Sequence, residues 1–242
     1  MKILLTGKNG QLGYELLDKL HLIGEIKAVG TEECNFKDIQ AIRELIRNFK
    51  PNIIINCAAY TAVDKAEEEK NFAKSVNEVA PGVIAQEAHQ LGSLFIHFST
   101  DYIFDGLKEN SYLEDDSASP LNVYGKTKLA GEELIKENCD KYIILRIGWV
   151  MSPHGKNFIK KILDLASRKD TISVVNDQYG TPTSTLMIAE TIIRLLEIYT
   201  HKSEDFPFGV YHISASGKTN WYQYCTYLIE NVKFSGRKIR LK

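Results

Sequence analysis

The sequence lacks the patterns that mark zinc-binding, disulfide-rich, membrane-spanning and nucleic-acid-binding proteins. Its four cysteines are far apart in a chain of 242 residues, so they predict neither a zinc site nor a disulfide framework. Its apolar runs are much shorter than the about 20 residues of a membrane span, and the first is too short for an export signal. Its 30 basic and 31 acidic side chains give a net charge of −1, which provides no broad basic surface for nucleic acid. We therefore expect a cytoplasmic protein with reduced thiols that binds neither nucleic acid nor membrane.

Strand and helix signals alternate along the chain. Strands are predicted at 2–7, 26–29, 51–57, 94–99 and 142–146, and helices at 11–20, 38–49 and 63–91, the last broken or kinked near Pro81. This alternation predicts an α/β fold with a doubly wound, parallel, Rossmann-like sheet. Weaker signals follow: helices at 157–167, 184–199 and 221–232, strands at 171–175 and 209–213, and a solvated edge or strand start in the basic segment 237–242.

The alternation loosens after Trp149. We therefore predict a dinucleotide-binding domain over residues 1–150. Residues 151–242 are expected to supply the last sheet elements and a smaller C-terminal substrate-binding lobe, which is incomplete at its C-terminus. In such folds, ligands bind at the carboxyl edge of the sheet.

A glycine-rich turn follows the first predicted strand and opens the first predicted helix. Its spacing, with Gly7, Gly10 and Gly13, allows a tight turn, a close backbone approach to pyrophosphate, and close packing of helix on strand. The helix N-terminus offers free N–H groups to phosphate. We predict that the turn binds a dinucleotide through Gly7, Asn9, Gly10, Gln11, Leu12 and Gly13; the alternative is a turn that only packs.

The end of the second predicted strand bears on the choice of cofactor. An acidic residue at this position usually binds the adenosine ribose hydroxyls, whereas a 2′-phosphate is repelled by it. Here the position is Gly30, followed by Thr31, which favours NADPH. The nearby Glu32 and Glu33 weaken that preference, so NADH stays open.

Candidate catalytic groups lie at two later points. Tyr124 and Lys128 are four residues apart in a run of helical composition, so their side chains are expected on one helix face. An ammonium beside a phenol favours the phenolate and lowers its pKa, which suits proton transfer. Thr100 ends the fourth predicted strand, where a hydroxyl faces the ligand crevice.

These blocks, in this order, resemble the extended short-chain dehydrogenase/reductases. Within them, the sequence is most similar to the dTDP-4-dehydrorhamnose reductase family. The similarity is carried by residues 7–13, 56–67, 99–106, 120–132, 146–149, 157–158 and 177–183.

The resemblance implies a reaction and a role for each matching residue. The expected reaction is reduction of the C4 ketone of a dTDP-6-deoxy-4-keto-L-sugar by NADPH or NADH. Tyr124 would donate the proton, Lys128 would lower its pKa and hold the nicotinamide ribose, and Thr100 would bind the keto oxygen. Further cofactor contacts would come from Asn35, Phe36, Ala58, Ala59, Tyr60, Thr61 and Ser99, and further substrate contacts from Val63, Asp101, Tyr102 and Trp149.

Alternatives within and outside this chemistry remain. Sugar 4,6-dehydratases place a glutamate that acts as a base after the Thr-Asp pair, whereas Asp101 is followed here by Tyr102, which argues against a dehydratase. Two alternatives stay open. The first is another nucleotide-4-keto-sugar reductase or epimerase, and the second is a non-catalytic NADP-binding subunit that resembles the regulatory subunit of methionine adenosyltransferase. Some relatives bridge a dimer through a metal, but residues 184–187 contain no carboxylate. We therefore predict no metal, and a homodimer without that bridge.

Overall fold

The computed structural model describes residues 1–201, 205–232 and 239–242. The strands are β1 Lys2–Thr6, β2 Glu25–Val29, β3 Ile53–Asn56, β4 Leu94–Thr100, β5 Tyr142–Ile147, β6 Val150–Met151, β7 Thr171–Ile172, β8 Tyr179–Gly180, β9 Thr183–Ser184, β10 Gly209–Ile213, β11 Thr219–Asn220 and β12 Arg240–Leu241. The helices are α1 Gln11–Leu20, α2 Ile39–Phe49, α3 Val63–Ala66, α4 Lys70–Lys74, α5 Ala80–Leu91, α6 Val123–Asn138, α7 Phe158–Arg168, α8 Thr185–His201 and α9 Trp221–Asn231.

The main sheet is parallel throughout the described residues and has the order β10-β5-β4-β3-β1-β2. From β1 the chain first winds outward to β2, then crosses back to β3 on the other side of β1. A crevice opens at such a reversal, beyond the carboxyl ends of the two strands. This confirms the predicted doubly wound α/β fold and places the crevice between the segments that follow β1 and β3.

Helices cover both faces of this sheet because the buried strands are apolar on both sides. One face packs on α1 and α8 through residues such as Leu16 and Ile192. The other packs on α2, α5 and α6 through residues such as Ile42 and Ile135. A separate small core joins α7, α9, β7 and β12 around Ile162 and Cys225.

Several boundaries differ from the sequence predictions. The strand predicted at 171–175 is limited to β7. The helix predicted at 63–91 is interrupted at residues 67–69 and then runs through a π-helical turn, Ser75–Val79, before α5. Pro81 lies in the first turn of α5, where its missing N–H is tolerated, so the irregularity lies just before it. In the basic segment, β12 pairs with β7, whereas residues 237 and 238 lie outside the described residues.

No helix in the described parts of the chain has the length and apolarity needed to cross a bilayer. All four cysteines are free in the structure, and three of them, Cys34, Cys139 and Cys225, are buried.

A buried ion pair ties α6 to the sheet. Glu132 on α6 and Arg146 on β5 are 0% and 6% exposed, with Nη2 2.8 Å from Oε2. Arg146 also donates to the backbone oxygen of Glu114 at 3.0 Å, and the Glu114 carboxylate accepts from the backbone N–H of His212 at 2.9 Å. Arg146 therefore connects α6, β5 and the long loop before α6.

Arg146→Leu should lower the free energy of unfolding by about 3–5 kcal/mol, because it leaves the Glu132 carboxylate buried without its guanidinium. Adding Glu132→Leu should restore much of that loss, since both charges are then gone. Urea unfolding measures both changes. Arg168→Leu, which breaks the exposed Arg168–Asp164 pair, is the control and should cost about 0–1 kcal/mol. A double variant no more stable than Arg146→Leu would contradict this account.

Candidate active site

The glycine turn between β1 and α1 is built from backbone contacts that exclude side chains. Gly7 has a φ of +71°, and a Cβ there would lie 2.6 Å from the Ala58 nitrogen. A Cβ on Gly13 would lie 2.1 Å from the Gly7 oxygen. The N–H of Gly10 donates to that same oxygen at 3.0 Å. The first turn of α1 is thus held against the ends of β1 and β3, with its N–H groups available for phosphate.

Part of the C-terminal region lies over this turn. The Nδ2 of Asn157 donates to the Oε1 of Gln11 at 2.9 Å, and the rings of Tyr14 and His154 are 3.8 Å apart. Leu12, in contrast, is 7% exposed and packs in the main core, so its side chain fixes the helix instead of reaching the crevice.

The end of β2 carries the carboxylate of Glu33, one of the two glutamates that weaken the sequence argument for NADPH. Glu33 folds back so that its Oε2 accepts from the Gly30 N–H at 2.7 Å, while its Oε1 accepts from Lys8 Nζ at 2.5 Å. The hydrogen bond from Lys8 is the largest cause that lowers the pKa of Glu33. The Nδ2 of Asn9 lies beside Gly30, where a Cβ would approach it to 2.8 Å. The adenosine end of the crevice therefore presents both a carboxylate and an ammonium.

The predicted contacts Asn35 and Phe36 lie just beyond, before α2. The Oδ1 of Asn35 accepts from the Lys37 N–H at 3.0 Å, and Phe36 is 7% exposed and packs with Ile42 in the core. Both remain predicted cofactor contacts.

The irregular segment after β3 contains the predicted residues Ala58, Ala59, Tyr60 and Thr61. Asn77, in the π-helical turn, holds this segment. Its Oδ1 accepts from the Tyr60 N–H at 2.9 Å, and its Nδ2 donates to the Tyr60 oxygen at 3.0 Å and to the Thr127 hydroxyl at 3.3 Å. Sequence reasoning missed Asn77; the available signal was a polar residue in a helical stretch that is otherwise expected to pack.

Thr100 and Tyr124 are brought together by close packing of α6 on the turn after β4. Residues Asp101–Ile103 form a single 3-10 turn, and a Cβ on Gly125 would lie 2.2 Å from the oxygen of Tyr102. The rings of Tyr102 and Tyr124 meet edge to face at 5.5 Å. Val63, at the start of α3, packs in the small apolar cluster that contains Tyr124. The predicted catalytic and substrate residues therefore share one end of the crevice.

The pKa of Tyr124 does not move in the predicted direction. Burial raises it to about 12, and a hydrogen bond with Thr100 offsets this in part. Burial also raises the pKa of Asp101. The sequence prediction assumed that the Lys128 ammonium faces the phenol, whereas its Nζ donates to the Phe98 oxygen at 2.6 Å and lies 3.1 Å from the Nε2 of His97.

Lys128 is 1% exposed, and its burial lowers its pKa to about 8.

His97 and the neighbouring Asn56 are also functional candidates that sequence reasoning missed. The signal was available in the chain, because His97 is a polar residue inside the apolar strand β4.

Ser99 provides a test of whether a cofactor fits here. Its Oγ is buried without a hydrogen-bond partner, the single such side-chain atom in residues 1–201, 205–232 and 239–242. Buried hydroxyls are normally paired, so this atom calls for a partner from a bound molecule. The Ser99 hydroxyl, together with the absence of side chains at Gly7 and Gly10, fits a dinucleotide bound across the ends of β1, β3 and β4.

Trp149 borders the crevice from the other side. Its φ is +47°, a strained value for a bulky residue. Its ring stacks on Trp221 with centroids 3.4 Å apart, and a Cβ on Gly180 would lie 2.4 Å from it. The preceding residue, Gly148, lies against the Asp101 carboxylate, which a Cβ there would meet at 2.3 Å. Strain of this kind at a crevice is a feature of functional sites.

The chain matches known proteins over nearly its whole length. Residues 1–241 match the family described as RmlD substrate binding domain. The dTDP-4-dehydrorhamnose reductase of Shigella flexneri is 40% identical over 245 residues, which cover 100% of this chain and 81% of that protein.

Solved structures of dTDP-4-dehydrorhamnose reductases are also similar to this chain. A dTDP-4-dehydrorhamnose reductase from Clostridium acetobutylicum superposes with a TM-score of 0.91 at 34% identity, covering 100% of this chain and 83% of that chain. The Bacillus anthracis enzyme, solved in complex with NADP, gives 0.89 at 32% identity and covers 99% and 82%. With a family match that takes in the glycine turn, Thr100, Tyr124 and Lys128 alike, the chain belongs to the RmlD substrate-binding-domain family, which confirms the resemblance seen in its sequence.

Proposed function

We propose that this chain is an NADPH-dependent oxidoreductase that reduces the C4 ketone of dTDP-4-dehydro-L-rhamnose to give dTDP-L-rhamnose. The observation that carries the proposal is the meeting of Thr100 and Tyr124, with Lys128 buried one turn further along α6, in a chain 40% identical to a reductase of that name. A homodimer and a cytoplasmic location remain predictions from the sequence.

Thr100 and Tyr124 would hold the ketone oxygen. Hydroxyl donors placed where negative charge develops stabilise the transition state more than the ground state. When bound, the nicotinamide supplies the hydride for the carbon atom. Because the pKa of Tyr124 is raised to about 12, its phenol is protonated at neutral pH and is ready to donate a proton to the oxygen.

Lys128 would act on the phenolate that this transfer leaves behind. As an ammonium, it would stabilise that phenolate and grip the nicotinamide ribose. Asp101, Tyr102, Val63 and Trp149 would shape the sugar side of the pocket, and Ser99 with residues 58–61 the cofactor side.

Oxidation of NADPH with and without dTDP-4-dehydro-L-rhamnose tests the function. We expect the absorbance of reduced nicotinamide to fall only when the sugar is present, because the hydride passes to the sugar, with dTDP-L-rhamnose as product. Tight NADPH binding without turnover would reject the enzyme and favour the non-catalytic subunit. Faster turnover of a different nucleotide-4-keto-sugar would reject the assigned substrate.

Tyr124→Phe should reduce turnover by about 10²–10⁴-fold, the usual contribution of a general acid, while NADPH binding stays within a few-fold of wild type. Steady-state kinetics and a cofactor titration measure the two quantities. Tyr227→Phe is the matched control, because Tyr227 is 62% exposed, and it should be unchanged. Near-wild-type turnover in Tyr124→Phe would exclude Tyr124 as the proton donor.

Glu33→Gln should raise kcat/KM for NADPH relative to NADH by roughly three- to tenfold, because it removes a negative charge next to the expected 2′-phosphate and frees Lys8 for it. Lys8→Gln should shift the ratio the opposite way. Glu32→Gln, an exposed neighbour, serves as the control. An unchanged ratio in both the Glu33 and the Lys8 variants would show that the 2′-position binds elsewhere.

A further inference from the structure

A row of buried polar side chains crosses the sheet beneath the candidate active site. It runs from Lys128 on α6 through His97 on β4 and Asn56 on β3 to Thr6 on β1, and each residue is at most 1% exposed. Lys128 Nζ lies 3.1 Å from His97 Nε2, and His97 Nδ1 lies 3.0 Å from Asn56 Nδ2. The Thr6 hydroxyl then donates to Asn56 Oδ1 at 2.6 Å.

A backbone group fixes the direction of this row. The N–H of Ala58 donates to Asn56 Oδ1 at 3.2 Å, and a backbone N–H can only donate. The amide of Asn56 must therefore turn its oxygen to Ala58 and its NH₂ group to His97. It follows that Nδ1 of His97 accepts a hydrogen bond, so the neutral imidazole carries its hydrogen on Nε2.

The tautomer of His97 decides the state of Lys128. The Nε2–H points at Nζ, and an ammonium has no lone pair to accept it, whereas an amine has one. The amine can still donate to the Phe98 oxygen at 2.6 Å. In this arrangement, Lys128 is therefore the neutral amine.

Burial and the surrounding charges alone leave Lys128 mainly an ammonium at neutral pH, so the hydrogen bond from His97 is the contact that favours the amine. Burial lowers the pKa of Lys128 to about 8, and Glu132, one turn along α6, raises it in part. Glu132 is paired with Arg146 at 2.8 Å, which limits its effect. Tyr124 faces Lys128 from the preceding turn and is itself neutral, because burial raises its pKa to about 12. Burial, and then Lys128, hold the pKa of His97 well below its usual value.

We propose that His97 is a positioning residue for the reduction, which holds Lys128 as a neutral amine until Lys128 takes up a proton from solvent. That uptake forms one N–H bond on Nζ and consumes the lone pair that accepts from His97. The ammonium is then released from His97 and is free to act on Tyr124. The proposal rests on the proposed function for its kinetic consequence, but not for the tautomer of His97.

The tautomer can be observed directly by NMR of the whole chain labelled with ¹⁵N-histidine. We expect His97 to show a protonated Nε2 and a bare Nδ1, unchanged between about pH 5.5 and 8, where ordinary histidines titrate. Asn56→Asp is nearly isosteric, and it places an acceptor opposite the Nδ1 of His97. The imidazole hydrogen of His97 should therefore move from Nε2 to Nδ1 in this variant, and the signals that change identify His97 in the spectrum. A wild-type His97 protonated on Nδ1 would overturn the proposal, whatever the activity of the enzyme.

The pH profile of kcat/KM for the reduction provides the second readout. If the ammonium form is required, the rate should fall as the pH rises through the pKa of Lys128, which burial lowers to about 8 and the hydrogen bond from His97 lowers further. In Asn56→Asp, the Nε2 atom of His97 becomes an acceptor and stabilises the Lys128 ammonium. The fall of kcat/KM, called the limb below, should therefore occur at a pH that is higher by about one unit or more. His97→Gln can offer its amide oxygen to Lys128 and should shift the limb in the same direction.

Thr6→Val is the control for these variants. It shortens the buried row at its far end, but the Ala58 N–H still orients Asn56, so the limb should stay in place. Equal shifts in Thr6→Val and Asn56→Asp, or no shift in either Asn56→Asp or His97→Gln, would overturn the proposal. An inactive chain that still shows hydrogen on Nε2 would reject the proposed function and leave the tautomer established.

Discussion

The close approach of α6 to its neighbours is the contact on which the candidate site depends. At Gly125 the helix touches the turn after β4, and at Gly131 a Cβ would lie 2.1 Å from the oxygen of Asn77 in the π-helical turn. A side chain at either position would push α6 away from the sheet. Because Tyr124 and Lys128 both project from α6, these two backbone contacts set the distance of both groups from Thr100 and from the crevice.

The same approach explains why the surrounding polar groups form a closed network. Asn77 can hold the segment after β3 and also reach Thr127 only if α6 lies within a few ångströms of the π-helical turn. The Glu132–Arg146 pair then fixes the next turn of α6 to β5. Buried polar groups need partners of this kind, and in this chain the partners also determine where the catalytic candidates lie.

Much of the fold was predictable from the sequence, because local patterns determine it. The apolar strands and the glycine turn lie in short stretches, and the helix at 11–20 and the strand at 209–213 have the predicted bounds. The order of the glycine turn, Thr100 and Tyr124 likewise identified the crevice. The weaker β7 was predicted too long because the small lobe provides a partner strand for only two residues.

The electrostatics of the site could not be predicted in the same way. The spacing of Tyr124 and Lys128 correctly puts both on one face of α6, but the state of each depends on residues far away in sequence. Lys128 meets His97 from β4, and in the same way Glu33 meets Lys8 from the glycine turn. Such contacts depend on strand register and loop path, which no local pattern records. For this reason, the expected lowering of the Tyr124 pKa was wrong.

The hydrogen bond between Gln11 and Asn157 has a consequence for the first turn of α1. It joins the first turn of α1 to the residue that caps α7, so the floor and the cover of the phosphate region belong to different parts of the chain. A shift of α7 would therefore pull on the first turn of α1, and the backbone N–H groups that are expected to bind phosphate depend on α7 for their position.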